Sequence, residues 1–258
     1  MRNARDVMTQ IPGLALTDHM TRARKMLRDD TYREVYVHDA KKRLAGYIDL
    51  TDALRITDTK SNVTVEGYLK VAPQVRPEDT LEQVALVIRG ATTDSAAVVG
   101  PDGVMVGGVF LSEIFPILIT RNEISGTVAD HMTRKVVTCE AGDPITHIHS
   151  LMRESGFSAF PVVRKKKLAG IVSRRDLLNA GRVRKALSQA GTVSIEEVMT
   201  HQVVTAAPQE RASAAAERLV KHDISRMPVL DGSALVGIID RHDVLKGLRV
   251  KGWEKGGG

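Results

Sequence analysis

The chain has 258 residues, and its 37 Lys and Arg against 31 Asp and Glu give a formal net charge of +6. Hydrophobic residues make up 43% and charged residues 26%, a balance that is typical of globular proteins and excludes a disordered chain. No apolar run approaches about 18 residues and Cys139 is the single cysteine, which excludes a membrane-spanning helix, an intrachain disulfide and a zinc cluster of cysteines.

The sequence is consistent with a cytoplasmic protein of one or two domains. The first residues, Met1 to Asp6, lack the apolar core of a signal peptide, and a single cysteine fits a reducing compartment. The aromatic content of 3% disfavours a stacking platform for single-stranded nucleic acid. We therefore expect a cytoplasmic protein with no membrane contact.

Two short motifs recur along the chain at a constant separation. The first is a tripeptide with a central methionine, found as Val7-Met8-Thr9, His131-Met132-Thr133 and Val198-Met199-Thr200. The second runs from a glycine to an acid, found as Gly46–Asp52, Gly170–Asp176 and Gly237–Asp243. In each copy the acid stands 44 residues after the methionine, which indicates an internal repeat.

A fourth, degraded copy lies between the first two. Its acid is Glu113, and Leu69 stands 44 residues before it. Successive acids are 61, 63 and 67 residues apart, so the chain consists of four repeats. We place the repeats at 1–60, 61–120, 121–186 and 187–251, followed by a flexible tail at 252–258.

The third repeat begins with a predicted strand and helix. The β-branched residues Val136–Thr138 predict a strand. Asp143-Pro144 predicts a helix start, with a cap followed by proline at the first helical position. Apolar residues then follow at helical spacing from Ile145 to Met152, and Gly156 is expected to end the helix.

The rest of the third repeat predicts a hairpin and a second helix. Phe160–Val163 and Leu168–Val172 are the strands, joined by a charged turn at Arg164–Lys167. Ser173 is placed as the N-cap of a helix from Arg174 to about Leu187. The fourth repeat predicts the same order, with elements at Val203–Thr205, Arg211–His222, Met227–Leu230 and Leu235–Ile239 and a turn at Asp231-Gly232.

This repeat resembles the CBS domain, named after cystathionine β-synthase. The methionine tripeptides, the segments Phe160–Val163 and Met227–Leu230, and the glycine-to-acid segments carry the resemblance over essentially the whole chain. It implies an α+β fold of four β-α-β-β-α CBS repeats paired into two Bateman modules. Stand-alone four-CBS proteins have this plan, as in outline does the gamma subunit of AMP-activated protein kinase.

The resemblance also implies a function. Such proteins are regulatory sensors rather than enzymes, and they bind an adenosyl ligand in clefts between paired repeats. The ligand would be AMP, ADP, ATP, S-adenosylmethionine or methylthioadenosine, acting as an effector with no required cofactor. We expect a regulated protein partner and a homodimer.

The third glycine-to-acid segment holds the fullest candidate site. Asp176 can accept hydrogen bonds from a ribose diol, and Ser173 can serve the helix or a ligand. Arg174 and Arg175 lie nearby for phosphate charge. A plain capping pair without a ligand is the alternative for Ser173 and Asp176.

The other copies differ at the serine position. Asp49 precedes Asp52 and Asp240 precedes Asp243, and a carboxylate there caps a helix but repels a phosphate. In the fourth copy, Arg241 and His242 partly offset that repulsion. In the second copy Phe110 and Glu113 stand at the two positions, and since Phe110 has no hydroxyl we expect that site to be empty or structural.

By the resemblance, main-chain groups hold the adenine around Val137-Thr138 and Val204-Thr205. The ring would lie against the apolar residues of the following strand, which are Phe160, Pro161 and Val162 or Met227, Pro228 and Val229. Core packing alone is the alternative for each of these apolar side chains.

Two rival functions remain. The basic turns Lys41–Arg43 and Arg164–Lys167, with the net positive charge, leave a nucleic-acid-binding regulator open. A structural scaffold with decayed sites is the other. We expect no metal site, since His147 and His149 do not share a helix face, and no nucleophile–base constellation that would make an enzyme.

Overall fold

The computed structural model describes residues 2–27, 32–49, 52, 63–91, 93–121, 123–155, 157–173, 176 and 193–249. The chain divides into two units, Met1–Glu123 with Leu248–Gly258, and Ile124–Gly247. The first unit contains the glycine-to-acid segments of the first and second repeats, and the second unit those of the third and fourth. None of the described helices combines the length and the apolar character needed to cross a membrane.

The first half of the first unit is a three-stranded sheet packed against a helix. Its elements in chain order are α1 Ala4–Val7, β1 Gly13–Ala15, α2 Met20–Leu27, β2 Glu34–His38 and β3 Leu44–Asp49. Strand β2 lies in the middle, parallel to β1 and antiparallel to β3. All five residues of β2 are buried, as expected for a strand covered on both faces.

The second half of the first unit repeats this arrangement. Its elements are a 3₁₀ helix Val65–Tyr68, β4 Gln74–Val75, α3 Leu81–Ala91, β5 Ser95–Val99, β6 Met105–Phe110 and α4 Leu111–Arg121. The sheet order is β4-β5-β6, again with one parallel and one antiparallel pair. Strand β7, Glu123–Ile124, follows.

The second unit has the same organisation. Its elements are α5 Val128–His131, β8 Cys139–Glu140, α6 Ile145–Ser155, β9 Ala159–Arg164, β10 Lys167–Ser173, a 3₁₀ helix Ile195–Glu197, α7 Ala212–Lys221, β11 Arg226–Asp231, β12 Ala234–Asp240 and α8 Arg241–Leu245. Strand β9 lies between β8 and β10, and β11 pairs with β12 as a hairpin. The short strand β13, Leu248–Arg249, comes next. The predicted β-α-β-β-α order is confirmed.

The two predicted first strands are misplaced by a few residues. The strand predicted at Val136–Thr138 is wrong, because pairing begins only at Cys139, opposite Val162. The strand predicted at Val203–Thr205 is also wrong, since Ala206 makes the parallel bridge to Val229. β-branched residues favour extended backbone, but the position of the neighbouring strand decides where a ladder forms.

The predicted start of helix α6 also shifts. The helix begins at Ile145, so Pro144 and not Asp143 precedes it. The Asp143 carboxylate instead accepts hydrogen bonds from the Glu140 amide and contacts His147. The helix predicted from Arg174 to about Leu187 lies outside the described residues except for Asp176, which is helical.

The cores of the first and third repeats are completed by the segment that leads into the other repeat of the unit. Ile195 and Met199, which precede the fourth repeat's strands, pack with Ile145, Ile148 and Phe160 of the third. Val65, at the start of the second repeat, packs into the core of the first. The two repeats of a unit therefore share their cores.

Candidate functional site

The two sequence motifs meet across the repeats of each unit. The residue after the methionine, or after Leu69, forms a two-bond backbone bridge with the glycine-containing strand of the other repeat. The four bridged pairs are Thr9–Gly108, Lys70–Tyr47, Thr133–Ile238 and Thr200–Ile171. The hydrogen bonds of these bridges are 2.8 to 3.0 Å long. Motifs that are 44 residues apart in one repeat thus make their contacts with the partner copy.

The glycine of the second motif lets these two chains approach closely. A Cβ on Gly170 would lie 2.5 Å from Met199 Sδ and 2.9 Å from the Thr200 carbonyl oxygen, and one on Gly237 would lie 2.5 Å from Met132 Sδ. Any larger residue would need one of the chains to move. The sequence showed both motifs, but not that they touch.

The third repeat's turn brings Ser173 and Asp176 into contact as a capping pair, and binding of a ligand there stays a prediction. Asp176 Oδ2 accepts hydrogen bonds from the Ser173 amide and hydroxyl, both at 2.7 Å. Its other oxygen, Oδ1, lies 3.5 Å from the hydroxyl of Thr200 in the fourth repeat. Asp176 therefore stands where two repeats meet, with one oxygen held by its own turn and the other directed to the partner repeat.

In the fourth repeat, Asp240 is the N-cap of α8. Its Oδ1 accepts a hydrogen bond from the Asp243 amide at 2.9 Å, and Asp243 Oδ2 accepts one from the Asp240 amide at 3.2 Å. Lys246 Nζ lies 2.5 Å from Asp243 Oδ1. Burial, followed by the charge of Asp240, raises the pKa of the Asp243 carboxyl. Repulsion of a phosphate by Asp240 stays a prediction.

The positive side chains of the fourth turn have other neighbours. Arg241 lies 3.4 Å from the Asp223 carboxylate, and its side chain is mostly buried. His242 is half-buried. Their expected role beside a phosphate also stays a prediction.

Lys70 of the second repeat contacts both acids of the first repeat's turn. Its Nζ lies 2.6 Å from Asp49 Oδ2 and 2.8 Å from Asp52 Oδ2. Burial opposes ionisation of Asp49, but hydrogen bonds from Lys70 and the Asp52 amide outweigh it and lower the Asp49 pKa. The same two carboxylates raise the pKa of the partly buried Lys70 amine.

In the second repeat, Phe110 takes part in packing. Its ring lies 6.1 Å from that of Tyr32, and the two planes are tilted by 50°. Partial burial raises the pKa of the Glu113 carboxyl. A phenylalanine at the serine position fits the expectation of an empty or structural site, which stays a prediction.

The predicted adenine contacts divide into two groups. Phe160, Val162, Met227 and Val229 are fully buried, and Phe160 and Val162 belong to the core of the third repeat. The side chains at the other positions are buried or half-buried, namely Pro161, Pro228, Val137, Thr138, Val204 and Thr205. Core packing accounts for the first group, and contact with a ring stays a prediction for both. The predicted phosphate partners Arg174 and Arg175 lie outside the described residues.

Sequence reasoning missed Lys70 and Thr200. Both occupy the third position of the tripeptide, and the signal that could have found them is the change from threonine to lysine in one copy. It also missed a buried network in the first unit, in which Glu34 Oε1 accepts the Ser95 hydroxyl at 2.5 Å and the Asp94 amide at 3.1 Å. The Tyr36 hydroxyl lies 3.0 Å from Ser95 Oγ.

Glu34 titrates unusually because of this position. Only 6% of the residue is exposed. Burial, and then the nearby charge of Asp94, raise the pKa of the Glu34 carboxyl to about 7. The first unit therefore contains an acid that changes charge near neutral pH.

Comparisons with known proteins agree with this architecture. The CBS domain family model matches residues 128–182 and 195–250. CBS domain-containing protein YhcV of Bacillus subtilis is 32% identical over 118 residues, covering 46% of this chain and 82% of YhcV. Homoserine O-acetyltransferase of Methanococcoides burtonii is 38% identical over 120 residues, 46% of this chain and 23% of the acetyltransferase.

A solved structure shows the same fold over most of the chain. Protein MJ1225 of Methanocaldococcus jannaschii, described as a candidate archaeal homologue of γ-AMPK, superposes with a TM-score of 0.71 at 20% identity, over 92% of this chain and 96% of its own. In sequence, the matched region spans 57% of MJ1225 and less than a quarter of the acetyltransferase. The family match, the relation to YhcV and the repeated β-α-β-β-α fold together show that the chain belongs to the CBS domain family.

Proposed function

We propose that the chain is a regulatory sensor that binds an adenosyl ligand in its second unit, at the turn formed by Ser173 and Asp176. The observation that carries the proposal is the position of Asp176, which is held by Ser173 of its own repeat and approaches Thr200 of the other. A ligand bound at that carboxylate contacts both repeats of the unit at once.

The chemistry of the turn suits a ribose. A carboxylate offers several acceptor positions, and a ribose diol offers two hydroxyl donors. Among the described residues, Asp52 and Asp243 each have a lysine ammonium within 3 Å, whereas the contacts of Asp176 there come from the hydroxyls and amide of Ser173 and Thr200. Uncharged donors are displaced by ligand hydroxyls more readily than an ammonium group.

The rest of the ligand would lie along neighbouring segments of the same repeat. By the family resemblance, the adenine would lie near Val137-Thr138 with Pro161 beside it. Arg175, which lies outside the described residues, would supply positive charge for the phosphate of a nucleotide. Val204-Thr205, with Asp243 and His242, is the corresponding place in the fourth repeat. AMP, ADP, ATP, S-adenosylmethionine and methylthioadenosine are the candidate ligands.

Binding would act through the packing of the two repeats. A ligand shifts an equilibrium between two packings only to the extent that it binds one more tightly. Because Asp176 and Thr200 belong to different repeats, a ligand between them favours the packing that keeps them close. The chain then passes its occupancy to a regulated protein partner or within a homodimer, and carries out no chemistry itself.

The basic turns support a nucleic-acid function less well. Arg164 forms an ion pair with Glu196, and Arg43 forms one with Asp39. Paired arginines contribute less positive potential than the sequence alone indicated.

Calorimetric titration of the full chain with each candidate ligand tests the proposal. Asp176→Ala should weaken binding by about 1.5–3 kcal/mol, the range for a hydrogen bond to a charged group, while the protein stays folded. Asp231→Ala, at the exposed end of β11, is the matched control and should bind like the wild type. Normal binding by Asp176→Ala, or no binding of any candidate by the wild type, would contradict the proposal.

A further inference from the structure

One repeat of the four carries a lysine where the others carry a threonine. The residue after the central methionine or leucine is Thr9, Lys70, Thr133 or Thr200 in the four copies. Each makes the same backbone bridge to the partner repeat. The side chains at this position are therefore directly comparable.

Lys70 and Thr200 stand in equivalent places relative to the turn acids. Lys70 bridges Tyr47, two residues before Asp49, and Thr200 bridges Ile171, two residues before Ser173. In the second unit the Thr200 hydroxyl is 3.5 Å from Asp176. In the first unit the Lys70 ammonium is 2.6 and 2.8 Å from the two carboxylates.

We propose that Lys70 prevents a ligand from binding at the first repeat's turn and so determines which turns can bind one. Its ammonium group occupies the position beside Asp49 and Asp52 that a ligand hydroxyl would need. This inference depends on the proposed binding at Asp176. The ammonium group adds charge–charge attraction to two carboxylates, whereas a ribose hydroxyl carries no net charge, so a ribose hydroxyl cannot displace the lysine easily. Lys70 Nζ also lies 6.0 Å from the centre of the Tyr47 ring, a further favourable contact.

As a result, only one of the two units would bind a ligand. The first unit has an internal cation in one turn and Phe110 in the other, and the second unit keeps the Ser173, Asp176 and Thr200 set. The first unit then serves as a scaffold that stays in one packing, and ligand binding is confined to the second.

Transfer of the lysine into the second unit tests the inference directly. Thr200 is exposed, so Thr200→Lys should fold normally. Its ammonium should pair with Asp176 and weaken the binding of AMP and methylthioadenosine at least tenfold, measured by calorimetry on the full chain. Thr200→Gln matches lysine approximately in size but carries no charge, so it should weaken binding less than Thr200→Lys does. Thr9→Lys, at the same bridge position of the first unit, controls for the added charge and should bind within about threefold of the wild type. Equal binding by Thr200→Lys and the wild type would overturn the inference.

The reverse exchange tests it independently of the wild-type site. Asp49→Ser with Lys70→Thr gives the first repeat the residue set of the third, and avoids leaving two carboxylates without a cation. In an Asp176→Ala background this chain should bind methylthioadenosine more tightly than Asp176→Ala alone, which is weakened. If the wild type binds neither probe but the exchanged first repeat does, the proposed function fails and the role of Lys70 stands. A folded exchange variant that binds neither probe overturns the inference.

Discussion

Met199 lies against Gly170 so closely that a Cβ on the glycine would stand 2.5 Å from the methionine sulfur. The two residues come from different repeats, and the backbone bridge between Thr200 and Ile171 holds them together. Gly237 and Met132 repeat the relationship with the repeats exchanged. The packing of the two repeats of the second unit therefore depends on glycine–methionine contacts between residues that the sequence shows as separate motifs.

Gly170→Ala should destabilise the second unit. The added methyl group also meets the Thr200 carbonyl oxygen at 2.9 Å, which is backbone and cannot rotate away. Overpacking of this kind costs about 1–3 kcal/mol of the free energy of unfolding. Chemical denaturation followed by circular dichroism measures the loss.

A glycine in open space provides the control. A Cβ on Gly142 meets nothing within 4 Å, so Gly142→Ala should leave stability nearly unchanged. In a Met199→Ala background, Gly170→Ala should cost less stability than in the wild type, because the contact with the methionine sulfur is absent. Equal stabilities of Gly170→Ala and Gly142→Ala would contradict the close approach.

Asp240 should act as a helix cap that serine can replace. Its Oδ1 accepts the Asp243 amide hydrogen bond at the start of α8. Asp240→Ala should therefore lose about 1 kcal/mol of stability, and Asp240→Ser, which keeps an oxygen acceptor, should lose much less. Thermal denaturation of both variants checks this, and equal losses would show that serine does not replace the aspartate cap.

The same serine variant should change the ionisation of Asp243. Asp240 is the second cause, after burial, of the raised Asp243 pKa. Removing that charge should lower the pKa of the Asp243 carboxyl, which NMR titration of that carboxyl follows. Asp231→Ser, at the exposed end of β11, should leave it unchanged.

Sequence periodicity was sufficient for the repeats and most of their elements. The helix through Ile145 and Ile148 and the hairpin around the Arg164–Lys167 turn follow from local patterns, since each element buries its own apolar face. The first strands were misplaced because Cys139 and Ala206 pair with strands that lie further along the chain. Pairing between two strands that are distant in sequence leaves no signal in the local sequence of the residue at which the pairing begins.

The candidate site was only half predictable for a related reason. Ser173 and Asp176 are three residues apart, and their mutual contact is local. Thr200 and Lys70 reach the acids only because two repeats pair. The spacing of motifs within one repeat gives no information on that pairing. The number of residues between successive repeats gives part of this information. Glu34 and Ser95 are 61 residues apart, the same separation as Asp52 and Glu113, so they occupy equivalent positions in the first two repeats. These two side chains contact each other in the first unit.

The buried Glu34 should make the stability of the first unit depend on pH. The carboxyl has a pKa of about 7 in the folded chain, against an ordinary value of 4.5. Below pH 4.5 both states are protonated and the full stability is present. As the pH rises towards 7, the unfolded chain releases its proton first, so the free energy of unfolding falls and then levels off. The slope is at most about 1.4 kcal/mol per pH unit.

Glu34→Gln should remove this part of the pH dependence. Glutamine keeps an oxygen that accepts from Ser95 and the Asp94 amide, but it carries no charge at any pH. The groups facing it are Asp94, its ion-pair partner Arg33, and the Tyr36 hydroxyl that contacts Ser95, and the variant leaves all of them in place. Denaturation at intervals from pH 5 to pH 8 should show the variant gaining stability over the wild type as the pH rises. Glu78→Gln, at an exposed glutamate paired with Arg5, should show no such trend. A difference between Glu34→Gln and the wild type that stays constant from pH 5 to pH 8 would mean that Glu34 does not titrate in this range.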